Sequence, residues 1–329
     1  MNRRELVSSG LALAVAQTLA SRRAWAQASY PARPVRLIVP SQAGGVYDLM
    51  GRLWADRIAP TFGTIVVENR PGGSATVGVA AAAKAAPDGY TILLASNATQ
   101  ILQPAMMSQP PYDPAKDFDV ISALTASWTA LAVTPSLPVK SVGELIDYAR
   151  MHPGKLSLGF SGVGDTTHIS GELFKQLAGG LDIIGVPYRG MTPAIRELVS
   201  GHLQTAMPHI TGQLVDLHRN GQIRILAINA PQRIAVAPDI PTAVEQGMAG
   251  MSAATFFYLY APAGTSKVVL DRINQLTQEA LADKEFQQKL IDAGLEPMLI
   301  GNVEKTREFV QAEHERWTPI ARSTGIRIN

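Results

Sequence analysis

Two stretches of the chain combine glycines with small hydroxyl and amide residues just ahead of a helical pattern. They are Ser41-Gln42-Ala43-Gly44-Gly45-Val46-Tyr47-Asp48 and Ser161-Gly162-Val163-Gly164-Asp165-Thr166-Thr167-His168. Free N–H groups in a first helical turn, together with the helix dipole, favour an anion there, and glycine lets it approach the backbone closely. The chemistry on offer is capture of a carboxylate without any charged side chain. By spacing alone, the same segments also read as ordinary tight turns in which Asp48 and Thr166 serve only the backbone. From these loops Ser41, Gly44, Gly45, Asp48, Ser161, Gly162, Gly164, Thr166 and His168 are candidate ligand contacts. Ser96 and Asn97 after a third strand pattern, Tyr188 and Arg189 in Tyr188-Arg189-Gly190, and His209 are further candidates, Arg189 as a partner for a carboxylate.

Covalent and redox chemistry find no such footing. Gly159-Phe160-Ser161-Gly162-Val163 lacks the final glycine of a nucleophile elbow, and the run from Gly73 to Gly78 continues with Val79 where a phosphate-binding loop needs lysine. Gly162-Val163-Gly164 is followed by Thr167 where a dinucleotide fingerprint needs glycine, and His314-Glu315 lacks a second histidine four positions after the first. His202, His209 and His218 do not share the spacing of metal ligands on one helical face. With no cysteine in the chain, disulfides, thiolate metal sites and cysteine nucleophiles are excluded. The reading assigns no catalytic residue, no cofactor and no metal, and expects a binding protein rather than an enzyme.

The elements that must carry the loops follow from periodicity. Short apolar runs alternate with helical patterns from residue 35 onward, which predicts an α/β fold with mainly parallel strands covered by helices. Strands are expected at 35–39, 64–67, 90–95, 131–133, 155–160, 183–186, 203–207, 223–228 and 256–260, each glycine loop lying at the carboxyl end of one. Helices are expected at 47–59, closed by Pro60 and Gly63, at 74–86, and from a Ser141/Glu144 capping box to Met151. Others follow at 167–178, 193–200 and 211–218, and three more start near Ser266, Asp283 and Asn302. A first crossing between domains near 131 and a return near 254 give two domains on a paired hinge, 27–130 with 254–329 and 131–253, although one large doubly wound sheet fits the alternation equally well.

The amino terminus reads as an export signal, residues 1–26, with a basic start at Arg3 and Arg4, an apolar run from Leu6 to Ala20, and Ala24 and Ala26 as a cleavage site. Ala26-Gln27-Ala28 is a second acceptable site, and the paired arginines permit either the general secretory or the twin-arginine route. That segment holds four arginines against one glutamate, so the formal charge falls from +2 to −1 without it. A near-neutral mature chain has no electrostatic reason to seek phosphate backbones, and nucleic acid is not an expected partner.

Read together, several motifs resemble the receptors of tripartite tricarboxylate transporters, often called Bug receptors. They are Tyr30-Pro31-Ala32-Arg33-Pro34-Val35-Arg36-Leu37-Ile38-Val39-Pro40, Val67-Glu68-Asn69-Arg70-Pro71-Gly72-Gly73 and Pro87-Asp88-Gly89-Tyr90-Thr91. The likeness continues through Pro111-Tyr112-Asp113-Pro114, His152-Pro153-Gly154-Lys155-Leu156, Val186-Pro187-Tyr188-Arg189-Gly190, Pro238-Asp239-Ile240-Pro241-Thr242 and Ala261-Pro262-Ala263-Gly264-Thr265. The resemblance implies a two-domain periplasmic flytrap with two mixed sheets, whose cleft holds a small organic acid by the backbone amides of the two loops. It also implies a membrane permease of large and small subunits as partner, and the receptor is expected to be a monomer. An exported hydrolase, or a ligand-loaded sensor docking on a membrane kinase, are the alternatives. Two departures bear on the ligand: Pro40-Ser41-Gln42-Ala43-Gly44-Gly45 replaces an aromatic wall with polar groups, and Pro208-His209 stands where the family places an acidic residue. The first implies a pocket of different shape and polarity, and the second, with less negative charge facing the ligand, suits a dicarboxylate or an acid without an amino group.

Overall fold

The computed structural model describes residues 30–328, so the expected export signal and its cleavage site lie outside the described residues. β1 (Val35–Val39) leads through the first glycine loop into α1 (Val46–Phe62), followed by β2 (Ile65–Asn69), a 3-10 turn at 73–75 and α2 (Thr76–Ala83). β3 (Thr91–Ser96) runs into a π-helical turn at 98–102 and the short α3 (Gln103–Met106), and β4 (Phe118–Trp128) comes next. The chain then forms β5 (Ala130–Val133), α4 (Val142–Met151), β6 (Leu156–Phe160), α5 (Thr166–Leu177), β7 (Ile183–Pro187), α6 (Met191–Ser200), β8 (Thr205–Ala206), α7 (Gly212–Arg219) and β9 (Arg224–Ile228). It ends with β10 (Ala254–Pro262), α8 (Lys267–Ala282), α9 (Lys284–Asp292), β11 (Glu296–Pro297) and α10 (Val303–Ser323).

The strands form two separate mixed sheets rather than one. The first has six strands in the order β11-β4-β10-β3-β1-β2 and the second has five in the order β7-β6-β8-β5-β9. In the first, β1 pairs parallel with β2 and β3 while β10 runs antiparallel to β3 and β4. In the second, β6 pairs parallel with β7 and β8 while β5 is antiparallel to β8 and β9. The chain leaves the first sheet between Trp128 and Ala130 and returns to it at Ala254. At this double crossing Thr129 N–H donates to Ala253 O at 3.0 Å, Asn229 N–H to Thr129 O at 2.8 Å and Ala253 N–H to Asn229 O at 2.8 Å, so the two connections are tied to each other.

Each lobe has its own core. Trp54 of α1 is fully buried among Leu37, Phe257 and Ile273, and its indole N–H donates to Thr277 Oγ1 of α8 at 3.1 Å, which fastens both helices to one face of the first sheet. Leu158, Phe174 and Met207 belong to the core of the second lobe, together with Met106 from α3 and Trp317 from α10.

Several expected boundaries move for identifiable reasons. The capping box forms at Ser141, whose Oγ accepts from Glu144 N–H at 3.1 Å, but the Glu144 carboxylate reaches one residue further back, to Lys140 N–H at 2.7 Å. Ser266, Asp283 and Asn302 are the N-caps of α8, α9 and α10. Pro60 does not close α1, which runs on to Phe62 with Gly63 as its C-cap. Ser74 and Ala75 adopt positive φ of 54° and 82°, so α2 starts later than the alanine-rich run suggests. β4 is the one long strand not expected from the sequence.

Candidate functional site

Loop one, residues 40–45, ends in Gly45, the N-cap of α1, which adopts extended backbone and supplies no side-chain cap. The first turn of α1 is thus left with N–H groups available to a ligand. Gly44 turns the chain at φ 83°, and a Cβ there would meet nothing within 4 Å, so the backbone faces open space. Its N–H donates to Asp48 Oδ2 at 2.9 Å. Asp48 also pairs with Arg52 at 3.0 Å and accepts from Asn69 Nδ2 at 2.9 Å, while the same amide holds Ser41 O at 3.2 Å. Chiefly through the Arg52 hydrogen bond, the buried Asp48 carboxyl is held down at about 2. Asp48 therefore braces the loop from behind, while the Ser41 hydroxyl donates to the neighbouring Gln42 O at 3.2 Å.

Loop two, residues 161–165, is braced in another way. Asp165 caps α5 by accepting from His168 N–H at 2.9 Å and takes further hydrogen bonds from Thr167 Oγ1 at 2.7 Å and from the Ser161 hydroxyl. Burial pushes its carboxyl up from the ordinary carboxylate range, against the pull of those donors. Thr166 Oγ1, in the first turn of α5, is buried and has no hydrogen-bond partner among the described residues. His168 stacks on Phe160 with ring centroids 3.9 Å apart, and its Nδ1 accepts from Gly164 N–H at 3.1 Å. Burial lowers its pKa to about 4, so the ring is neutral near pH 7. Gly164, at φ 77°, is enclosed: a Cβ there would run into Ile328 Cδ1 and lie 3.0 Å from Met106 Cε. Its glycine answers to packing against the chain terminus, whereas Gly162 would meet only the Asp165 carboxylate at 3.4 Å.

The further candidates separate by place. Ser96 and Asn97, at the carboxyl end of β3, are fully buried. Asn97 Nδ2 donates to Ala254 O at 2.9 Å and its Oδ1 accepts from Phe256 N–H at 3.2 Å, which joins the end of β3 to the returning β10. Tyr188 donates its phenol to Glu197, and its backbone N–H holds Phe160 O at 2.9 Å. Arg189 is exposed beside loop two, where the next residue, Gly190, donates its N–H to Ser161 O at 3.1 Å. His209 sits at the double crossing, bridged to Thr129, with Nε2 2.8 Å from Thr255 Oγ1; burial lowers its pKa to about 4.

Tyr47, second residue of α1, is not among the candidates, and it ties the first turn of α1 to the end of β3. Its hydroxyl meets Ser96 Oγ, and its ring packs edge-on against Phe257 at 4.9 Å. Burial pushes the phenol up to about 12, the Ser96 hydrogen bond opposes the rise, and the Asp165 carboxylate of the other lobe adds to it. Loop one and loop two thus lie at strand ends of different lobes. The only advance signal for Tyr47 was a bulky aromatic inside a run of small residues. A separate groove of about 410 Å³, lined by Gln100, Phe118, Tyr260, Arg307 and His314 among others, includes no residue of either loop. Among the described residues no group of histidines and carboxylates could hold a metal, and no helix is long and apolar enough to cross a membrane.

Similarity to known proteins agrees with this geometry. The model of the tripartite tricarboxylate transporter family receptor matches residues 51–326. Protein BugT of Bordetella pertussis is 32% identical over 302 residues, covering 91% of this chain and 92% of the relative. The solved structure of R. palustris Rpa4515 with adipate superposes with a TM-score of 0.81 at 34% identity, over 91% of this chain and 99% of that one. MatC from Rhodopseudomonas palustris with bound malate superposes with a TM-score of 0.76 at 30% identity, over 89% of this chain and 100% of that one. Two lobes on two mixed sheets, paired glycine loops and agreement along nearly the whole length lead to one conclusion: the chain belongs to the family of tripartite tricarboxylate transporter receptors.

Proposed function

We propose that the chain is a periplasmic solute-binding receptor that closes its lobes over a small organic acid and delivers it to a membrane permease of large and small subunits. The observation that carries this reading is a pair of glycine loops at helix N-termini, one on each lobe, the first offering the uncapped first turn of α1 and the second the buried, unpartnered hydroxyl of Thr166. Such a pair suits a carboxylate held by backbone amides. The relatives solved with adipate and malate support an organic acid as ligand. In this reading the export signal is removed near residue 26, the domains are 27–130 with 254–329 and 131–253, and the protein binds without turning its ligand over.

The test is a thermal-shift screen of residues 27–329 against mono-, di- and tricarboxylates, aromatic acids and amino acids, followed by calorimetry. A ligand that binds only the native state raises its melting temperature by mass action. A shift from one class of organic acid is the expected result, and silence from every carboxylate would sink the proposal. With His209 where the family places an acidic residue and the Asp165 carboxylate engaged in three hydrogen bonds, an amino acid is expected to bind more weakly than its deaminated analogue.

A further inference from the structure

We infer that Tyr47 sets ligand length in this cleft, and that the receptor takes a short-chain organic acid in preference to a long, extended one. The inference rests on the receptor reading above. Tyr47 belongs to the same first helical turn whose N–H groups are free, so its side chain borders whatever those groups hold. In open α/β sheets the ligand crevice lies outside the carboxyl ends of the strands. The Tyr47 phenol reaches into that region, since its hydroxyl partner Ser96 is the last residue of β3.

The ring is held at both ends. Phe257, fully buried in β10, meets its face edge-on at 4.9 Å, and Ser96 Oγ is itself fixed by accepting Ala98 N–H at 3.1 Å. A side chain on α1 pinned against β3 and β10 is a wall rather than a flap, and a longer chain would need the space it occupies. Discrimination by a methylene in such a pocket is worth about 10- to 200-fold.

Calorimetry with succinate, glutarate and adipate on residues 27–329 tests this. Wild type is expected to bind succinate at least ~10-fold more tightly than adipate, and Tyr47→Ser to reduce that ratio by ~10-fold or more. Tyr47→Phe keeps the ring and loses the Ser96 contact, so it should weaken all three acids alike while holding the ratio. A thermal melt checks folding, and Tyr47→Leu, which keeps apolar contact with Phe257, replaces Tyr47→Ser if that variant does not fold. A wild-type preference for adipate, or an unchanged ratio in the shortened variant, overturns the role of Tyr47 and leaves the receptor reading standing. Failure of wild type to bind any acid overturns the receptor reading and this inference with it.

Discussion

Asp48, in the first turn of α1, serves the loop before it: Gly44 N–H, the Arg52 guanidinium and the Asn69 amide all converge on its carboxylate. Asp48→Ala removes the acceptor for all three and should cost about 2 kcal/mol of stability by denaturant unfolding. The pH dependence has a definite sign. The folded carboxyl lies at about 2, below its ordinary 3.8, so the stabilisation is fully present above the ordinary value and is lost as pH falls through about 2. The gap between wild type and Asp48→Asn should therefore be wide near neutrality and close near pH 2; a gap that does not narrow would rule out the charge as its source. Gly44 and Gly164 show how far single residues could be read from sequence. Both need positive φ, but only the fold reveals that Gly44 faces open space whereas Gly164 lies against Ile328, far away in the chain. Tyr47 stands directly after loop one, in the first turn of α1. Its importance depends on Ser96 and Phe257, which no local pattern brings to it.

Among elements, strands that alternate strictly with helices were legible because their apolar runs are short and bounded by glycine or proline. β4 was not, although it pairs with β10 through the middle of the first sheet. Its Ser122, Thr125 and Ser127 resemble loop residues, yet all three are buried. They are accommodated by partners supplied from elsewhere: Gln278 Nε2 donates to Ser122 Oγ at 3.0 Å and Thr125 Oγ1 reaches Met50 Sδ at 3.4 Å. The docking of the chain terminus was equally hidden, since Ile328 N–H donates to Met106 O at 3.2 Å and bridges the tail to the end of α3 beneath loop two. Gly164→Ala should lower the melting temperature for two separate reasons, the left-handed backbone at φ 77° and the collision with Ile328. Ile328→Ala relieves only the second. The double variant should be more stable than the two single losses predict, by about 0.5 kcal/mol or more, and strict additivity would show that tail and loop are not coupled.

At the scale of the whole molecule, α10 spans what the hinge divides. Its Phe309 and Val310 pack on the core of the first lobe, whereas Trp317 and Ala321 lie in the core of the second. In the receptor reading, closure has three connections to accommodate, the paired crossing at 128–130 and 253–254 and this helix. The crossing is the place for a change of backbone angles, because hinges concentrate such changes in a few residues at the ends of elements. Trp128 stands one residue before Thr129, half-buried, with its indole N–H donating to Glu296 Oε2 at 2.8 Å and its ring edge-on to Phe256 at 5.9 Å. Trp54 and Trp317 are fully buried in their cores and should keep their surroundings as the lobes move. Titrating residues 27–329 with the acid found in the screen should change tryptophan emission, and small-angle scattering should show a smaller radius of gyration in the bound form. Trp128→Phe should keep the affinity, since its partners Glu296 and Phe256 lie outside both loops, and lose most of the emission change. If the change survives in Trp128→Phe, the lobes turn about some other part of the chain, and α10 is the element to probe next.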